Sequence, residues 1–140
     1  MGTYSIIYLK KPEMAKEVNN LLKEKYNLKY ESYNGIEYGI FFTQEMFDED
    51  LRFMNKDEEG KQNLSHYQRP ISKETYHLLL FGIGNCFGDI GTFCVKISCI
   101  AEEEIKTTKV LQEFFKTPEF KKYVNIRKSK NLRQLLNTEV

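Results

Sequence analysis

Apolar positions along this chain follow two spacings, one near two residues and one near three and a half, and the changes between them mark out its elements. Residues 3–9 form an aromatic and β-branched run that stops at Lys10-Lys11-Pro12, which predicts a strand followed by a break. Pro12 is suited to opening a helix. From residue 13 to 26, Met14, Val18, Leu21, Leu22 and Tyr26 fall at offsets of 4, 7, 8 and 12, the stripe of an amphipathic helix. Two aromatic-rich runs follow, residues 28–33 and 36–42, separated by Asn34-Gly35. That dipeptide readily adopts positive φ angles, so a tight hairpin is predicted. Thr43 is a candidate cap for the next helix, with Gln44, Glu45 and Asp48 in its first turn and an apolar stripe of Phe47, Leu51 and Met54. The helix ends no later than Gly60, and residues 60–70 are polar and without a period, which predicts an exposed loop.

Residues 76–84 carry Leu78-Leu79-Leu80-Phe81, a run that fits a buried strand or a short helix equally by period. Downstream, Phe93, Val95, Ile97 and Cys99 alternate with Thr92, Cys94, Lys96 and Ser98, as a half-buried strand requires. The favoured arrangement is two antiparallel strands joined by the loop at residues 85–91. Helical spacing returns at residues 102–116 with Ile105, Leu111, Phe114 and Phe115. Thr117-Pro118 then reads as a cap and first helical residue for Phe120, Tyr123 and Val124, and Leu132, Leu135 and Leu136 predict a last helix. About five strands with four or five helices, in no regular alternation, give an α+β fold around a mainly antiparallel sheet.

The chain has 140 residues, of which 41% are hydrophobic, enough for one domain spanning residues 1–140 with its own core. No repeat or linker divides it. Three cysteines, Cys86, Cys94 and Cys99, are odd in number and clustered, which favours a reducing, cytoplasmic setting over a disulfide framework. The amino-terminal apolar run is too short for a signal peptide or a membrane span, and no other stretch is long enough. Gly2 lacks the Ser or Thr that myristoylation wants at position 6, where Ile6 stands, and Asn63-Leu64-Ser65 would be glycosylated only on a secretory route. The ending Thr138-Glu139-Val140 fits the hydroxyl-x-apolar pattern that strand-addition grooves capture.

Glycines at 82, 84, 88 and 91 resemble a phosphate-cradling loop, but the spacing fails. A dinucleotide fingerprint needs glycine where Phe87 stands, a P-loop needs Lys followed by Ser or Thr, and both need a helix where residues 92–99 have strand period. Cys86 in this loop is the best-placed candidate nucleophile, with His77 as a conceivable base, so a small-ligand or enzymatic site at residues 82–91 is one alternative. No Cys-x-x-Cys and no helical His pair points to a metal, and no cofactor is implied.

Charge distribution discriminates more than the formal net charge of +1. Residues 1–30 net +3, residues 31–60 net −7, residues 61–101 net +2 and residues 102–140 net +3. The acids of the second block, Glu45, Asp48, Glu49, Asp50, Asp57, Glu58 and Glu59, gather mostly on the helix that Thr43 opens, whose apolar stripe must face inward. Its outer face is therefore negative, and such a face favours a basic protein partner. The expectation is a small cytoplasmic protein that binds and neutralises such a partner; immunity proteins against toxins are one class of that kind, comparable in size, compactness and charge polarity. Tyr38, Phe41 and Phe42 beside the acids are candidate interface anchors, although at this spacing they also suit a core. The alternative partner is nucleic acid, held by Lys116, Lys121, Lys122, Arg127, Lys128, Lys130 and Arg133, seven cations in 18 residues against the single acid Glu119. Against it, Phe120 and Tyr123 have the spacing of packed residues, and Arg is scarce beside Lys.

Overall fold

The computed structural model describes residues 3–28, 30, 32–33, 36–48 and 90–140. Strand β1, Tyr4–Tyr8, is followed by helix α1, Met14–Tyr26, and by a short antiparallel pair, β2, Ser32–Tyr33, and β3, Ile36–Glu37. Helical backbone returns at residues 44–48. Strand β4, Thr92–Lys96, leads to helices α2, Glu102–Phe115, α3, Phe120–Tyr123, and α4, Leu132–Asn137. The fold is thus a mixed α and β architecture with antiparallel strand pairing.

β1 and β4 pair over their full length, from Tyr4 opposite Lys96 to Tyr8 opposite Thr92. Ser5, Ile7 and Leu9 are buried on one face of β1, the alternation that a strand of period two requires. The outer edge of β1 is covered by an irregular segment from the far end of the sequence. Lys130 N donates to Ile6 O (2.8 Å) and Ile6 N to Lys130 O (3.0 Å), while Asn125 N donates to Tyr8 O (2.8 Å) and Lys10 N to Tyr123 O (2.7 Å). Two side chains complete the edge: Ser129 Oγ accepts from Tyr8 N (3.1 Å) and Asn131 Nδ2 donates to Tyr4 O (2.7 Å). An edge strand left with open N–H and C=O groups invites mispairing, and here side chains and bridges close it.

One apolar cluster joins β1, α1, β4, α2 and α4, with Ile7, Val18, Leu22, Phe41, Val95, Leu111, Phe114 and Leu135 at its centre. α1 forms because its apolar stripe meets this cluster. Ala15, Val18 and Leu22 are buried, and Asn27 ends the helix in the left-handed conformation (φ 54°) that asparagine tolerates. α1 meets α2 where the rings of Tyr26 and Phe114 lie edge to face, 6.2 Å apart.

Several expectations change. Among the described residues the strands form two antiparallel pairs, where the sequence predicts a sheet of about five strands; the run at residues 76–84 lies outside the described residues. The predicted hairpin pairs over two residues on each side, and its turn, Asn34-Gly35, also lies outside them. The ladder stops because the backbone beyond β3 is taken by other partners. Asn19 of α1 clamps Phe41, its Nδ2 donating to Phe41 O (3.0 Å) and its Oδ1 accepting from Phe41 N (2.9 Å). Phe42 then joins β4 instead, with Phe42 N donating to Thr92 O (2.7 Å) and Gly91 N to Phe42 O (2.8 Å). The approach that the clamp needs explains Gly39, since a Cβ there would run into the Asn19 amide. β4 is buried at every position from Thr92 to Val95, with Phe93 and Val95 in the core and the Phe93 ring against Phe41, so the predicted half-buried alternation does not hold. Thr117 does not cap α3; its hydroxyl donates back to Phe114 O (2.6 Å) and closes the end of α2. A hydroxyl three residues past a carbonyl that has lost its helical partner is well placed for that bond.

Candidate functional site

The acidic helix is visible at its start. Thr43 Oγ1 accepts from Met46 N (3.2 Å), satisfying one of the N–H groups that a first turn leaves without a partner, and Thr43 O accepts from Phe47 N (3.0 Å). This cap sets the rotation of the turn. Met46 is buried against Tyr38 and Phe42, Phe47 is half-buried, and Glu45 and Asp48 are exposed. The inward residue is thus chiefly Met46, one position before the predicted stripe. Asp48 accepts from Gln44 Nε2 (2.9 Å), and Glu45 lies 4.0 Å from Lys16 Nζ on α1. Glu49, Asp50, Asp57, Glu58 and Glu59, with Leu51 and Met54, lie outside the described residues. Tyr38, Phe41 and Phe42 are core residues, so they are not available as interface anchors.

The acidic turn forms one wall of a cleft of about 710 Å³. Its described lining includes Glu13 and Lys16 from the start of α1, Thr43 and Glu45 from the turn, Ile90, and Lys128 from the far end of the chain. Two cations therefore face the acids across the cleft. At the spacing of Lys16 and Glu45, with both groups exposed, such a pair contributes little to stability but lowers the local negative field.

The seven cations at 116–133 are all exposed. Lys128 stands over the Tyr8 ring, 4.4 Å from its centroid, and Lys116 lies 3.6 Å from Glu113. The one acid of that stretch, Glu119, accepts from Lys25 of α1 at 2.9 Å. The hydrogen bond and the charge of Glu119 hold the Lys25 ammonium above its ordinary pKa. Burial, aided by the Glu17 carboxylate, pushes the Tyr123 phenol upward. Tyr123 is buried and Phe120 half-buried, so neither presents a ring face for stacking on a base.

Among the other sequence candidates, Cys86, His66, His77 and residues 82–89 lie outside the described residues. Gly91, the last glycine of that loop, has φ 83° and packs against Pro12, the structural use of a glycine in a turn. Cys94 is buried in β4 and Cys99 is exposed in the turn after it. Among the described residues no cluster of His, Cys, Asp and Glu is grouped to hold a metal ion, and no helix is long and apolar enough to cross a membrane. Thr138 uses its hydroxyl on Gln134 O (2.5 Å).

The sequence reading missed two features. The Asn19 clamp pairs residues 22 apart with no local pattern to announce them. The ribbon at 123–131 has neither helical nor strand period, and its only signal was the polar sequence Asn125, Ser129 and Asn131 between two helices, residue types that bind backbone in place of regular ladders. No protein-family model, no curated protein and no solved structure matches this chain.

Proposed function

We propose that the protein is a small binding protein that inhibits or neutralises a basic partner protein, in the manner of an immunity protein, through an acidic helix face. The observation in its support is the rotation of the turn at 44–48. Thr43 and Met46 turn Glu45 and Asp48 to solvent, and helical period would carry Glu49 and Glu59 to the same side if the helix continues, whereas Asp50 and Asp57, four and eleven positions after Met46, would follow its inward face. A dense negative face accelerates encounter with a basic protein and penalises wrong pairings. The reading places a single α+β domain over residues 1–140, with a sheet larger than the pairs described above, in a cytoplasmic setting. It involves no cofactor and no membrane.

The deciding experiment is a pull-down from native lysate, with nuclease present, using the wild-type protein and a variant carrying Glu45→Lys, Asp48→Lys and Glu49→Lys. One stoichiometric basic protein, retained by the wild type and lost by the variant with the melting temperature unchanged, supports the reading. Equal retention by both overturns the surface.

The exposure of all seven cations at 116–133 favours a second reading, contact with a nucleic-acid backbone. It requires binding that falls steeply with salt and that disappears with Lys121→Glu and Lys122→Glu. Salt-independent binding removes it. A site at Cys86 and the glycine loop has no described geometry in its favour.

A further inference from the structure

We propose a second docking surface, separate from the acidic face: a groove between α3 and α4 that receives an acidic amphipathic segment of a partner protein. The groove holds about 460 Å³ and is lined by the apolar Phe120, Ile126, Leu132 and Leu136 together with the polar Asn131, Arg133 and Gln134. That volume lies in the range of roughly 300–1,000 Å³ typical of ligand-sized pockets.

Ile126 is the first reason to read the groove as a binding surface. It is 50% exposed, among the few large apolar side chains left so open among the described residues. Its exposure is imposed by the surrounding backbone. Asn125 Oδ1 accepts from Lys128 N (3.1 Å), Asn125 O accepts from Ser129 N (3.0 Å) and Ser129 Oγ (2.7 Å), and Lys130 is bridged to Ile6. The loop is pinned on both sides of Ile126, so the side chain cannot turn inward without breaking bonds to β1. A rigid apolar side chain held at the mouth of an apolar groove has no folding role that requires this placement.

Charge selects the occupant. Residues 116–133 carry seven cations and one acid, and that acid, Glu119, is already engaged by Lys25. Of these cations Arg133 lines the groove, and Lys121, Arg127 and Lys130 adjoin its lining residues Phe120, Ile126 and Asn131 along the chain, so its apolar residues have positive neighbours. An acidic peptide with bulky apolar residues along one face complements both parts, the helix-in-groove mode of recognition. Nucleic acid fits less well, because Phe120, the aromatic residue of this lining, is half-buried and packed edge to face against Phe115, and so offers no stacking platform. An anionic membrane fits less well too. The surface is concave, and α4 spans six residues, too short to lie as an amphipathic helix in the interface.

Fluorescence anisotropy tests the proposal with a fluorescein-labelled helical peptide of about five turns, carrying Leu at i, i+3, i+4 and i+7 and Glu on its other face. A scrambled peptide of the same composition and vesicles of phosphatidylserine serve as comparisons. The expected result is saturable binding of the amphipathic peptide alone, weakened by salt and weakened about tenfold or more by Ile126→Glu and by Arg133→Glu. Both residues are exposed, so both variants should retain the wild-type melting temperature. Absence of binding, equal binding of the scrambled peptide, or indifference to both substitutions overturns the proposal. Vesicle binding without peptide binding assigns the surface to lipid instead. Self-association through Ile126, read by sedimentation without peptide, would make a second copy the occupant and overturn it as well.

Discussion

The acidic turn at 44–48 and the basic stretch at 116–133 have similar sequence character, charged residues interleaved with aromatic and aliphatic ones, yet they are held in opposite ways. The turn itself depends on two local devices, the Thr43 cap and the packing of Met46, while the Asn19 clamp that fixes Phe41 just upstream reaches across 22 residues. The basic stretch is tied to β1 by long-range bonds from Tyr123, Asn125, Ser129, Lys130 and Asn131. A charged surface can therefore be presented by a helix whose period sets its outer face, or by an irregular ribbon whose side chains replace a strand. The first leaves a signature in the sequence and the second hardly any.

Truncation of the core beneath the basic stretch should have the largest effect. Leu135→Ala removes a fully buried side chain where α4 meets the core, and should cost about 2–5 kcal/mol in urea unfolding. A much smaller loss would mean that α4 is loosely attached and that the basic stretch is not the firmer of the two regions. Next comes the clamp. Asn19→Ala leaves the Phe41 N–H and C=O without their partners, at about 1–3 kcal/mol each. Gly39→Ala alone should also destabilise, but the two together should cost less than their sum, because the shortened side chain at position 19 frees the space that a Cβ at 39 needs. Strict additivity would separate Gly39 from the clamp.

Smaller effects compare the two anchors directly. Thr43→Ala should cost about 1 kcal/mol by loss of the cap. Ser129→Ala should cost a similar amount or more, since that hydroxyl both accepts from Tyr8 N and donates to Asn125 O. The smallest effect concerns pH. The folded-state pKa values of Lys25 and Tyr123 both lie above their ordinary values of 10.5 and 10.0. The native state then retains protons that the unfolded chain has released, so stability is intact below about pH 10 and declines as pH rises beyond it. Glu119→Gln should weaken the part of this decline that belongs to Lys25, as measured by thermal unfolding between pH 9 and 11.

Elements whose burial follows their own period were legible in the sequence. β1, α1, α2 and α4 lie where the apolar spacing of Ile7, Val18, Leu111 and Leu135 puts them, and the Thr43 cap has the bond expected of it. The departures occur where a distant residue decides the local structure. Tyr38 to Phe42 reads as strand, but Asn19 and Gly91 claim its backbone after two residues of pairing. Thr117 before proline reads as a cap, but the nearer carbonyl of Phe114 takes its hydroxyl. Of the acidic site, the outward orientation of Glu45 and Asp48 was readable from helical period; the cations that share a cleft with Glu45, Lys16 and Lys128, were not, because they arrive from α1 and from the far ribbon.

The closure of β1 by the ribbon also orders events in time. Tyr8 and Ser129 are 121 residues apart, and Tyr4 and Asn131 are 127 apart. During synthesis the first strand leaves the ribosome roughly ten seconds before the residues that close its edge exist, at ordinary rates of elongation. For most of that interval β4 does not exist either, so Tyr-Ser-Ile-Ile-Tyr is a segment unpaired on both sides and then on one, the kind of nascent chain that chaperones hold. Contacts so distant along the polymer also slow refolding, so the protein should reach its native state far more slowly than a helical bundle of its size.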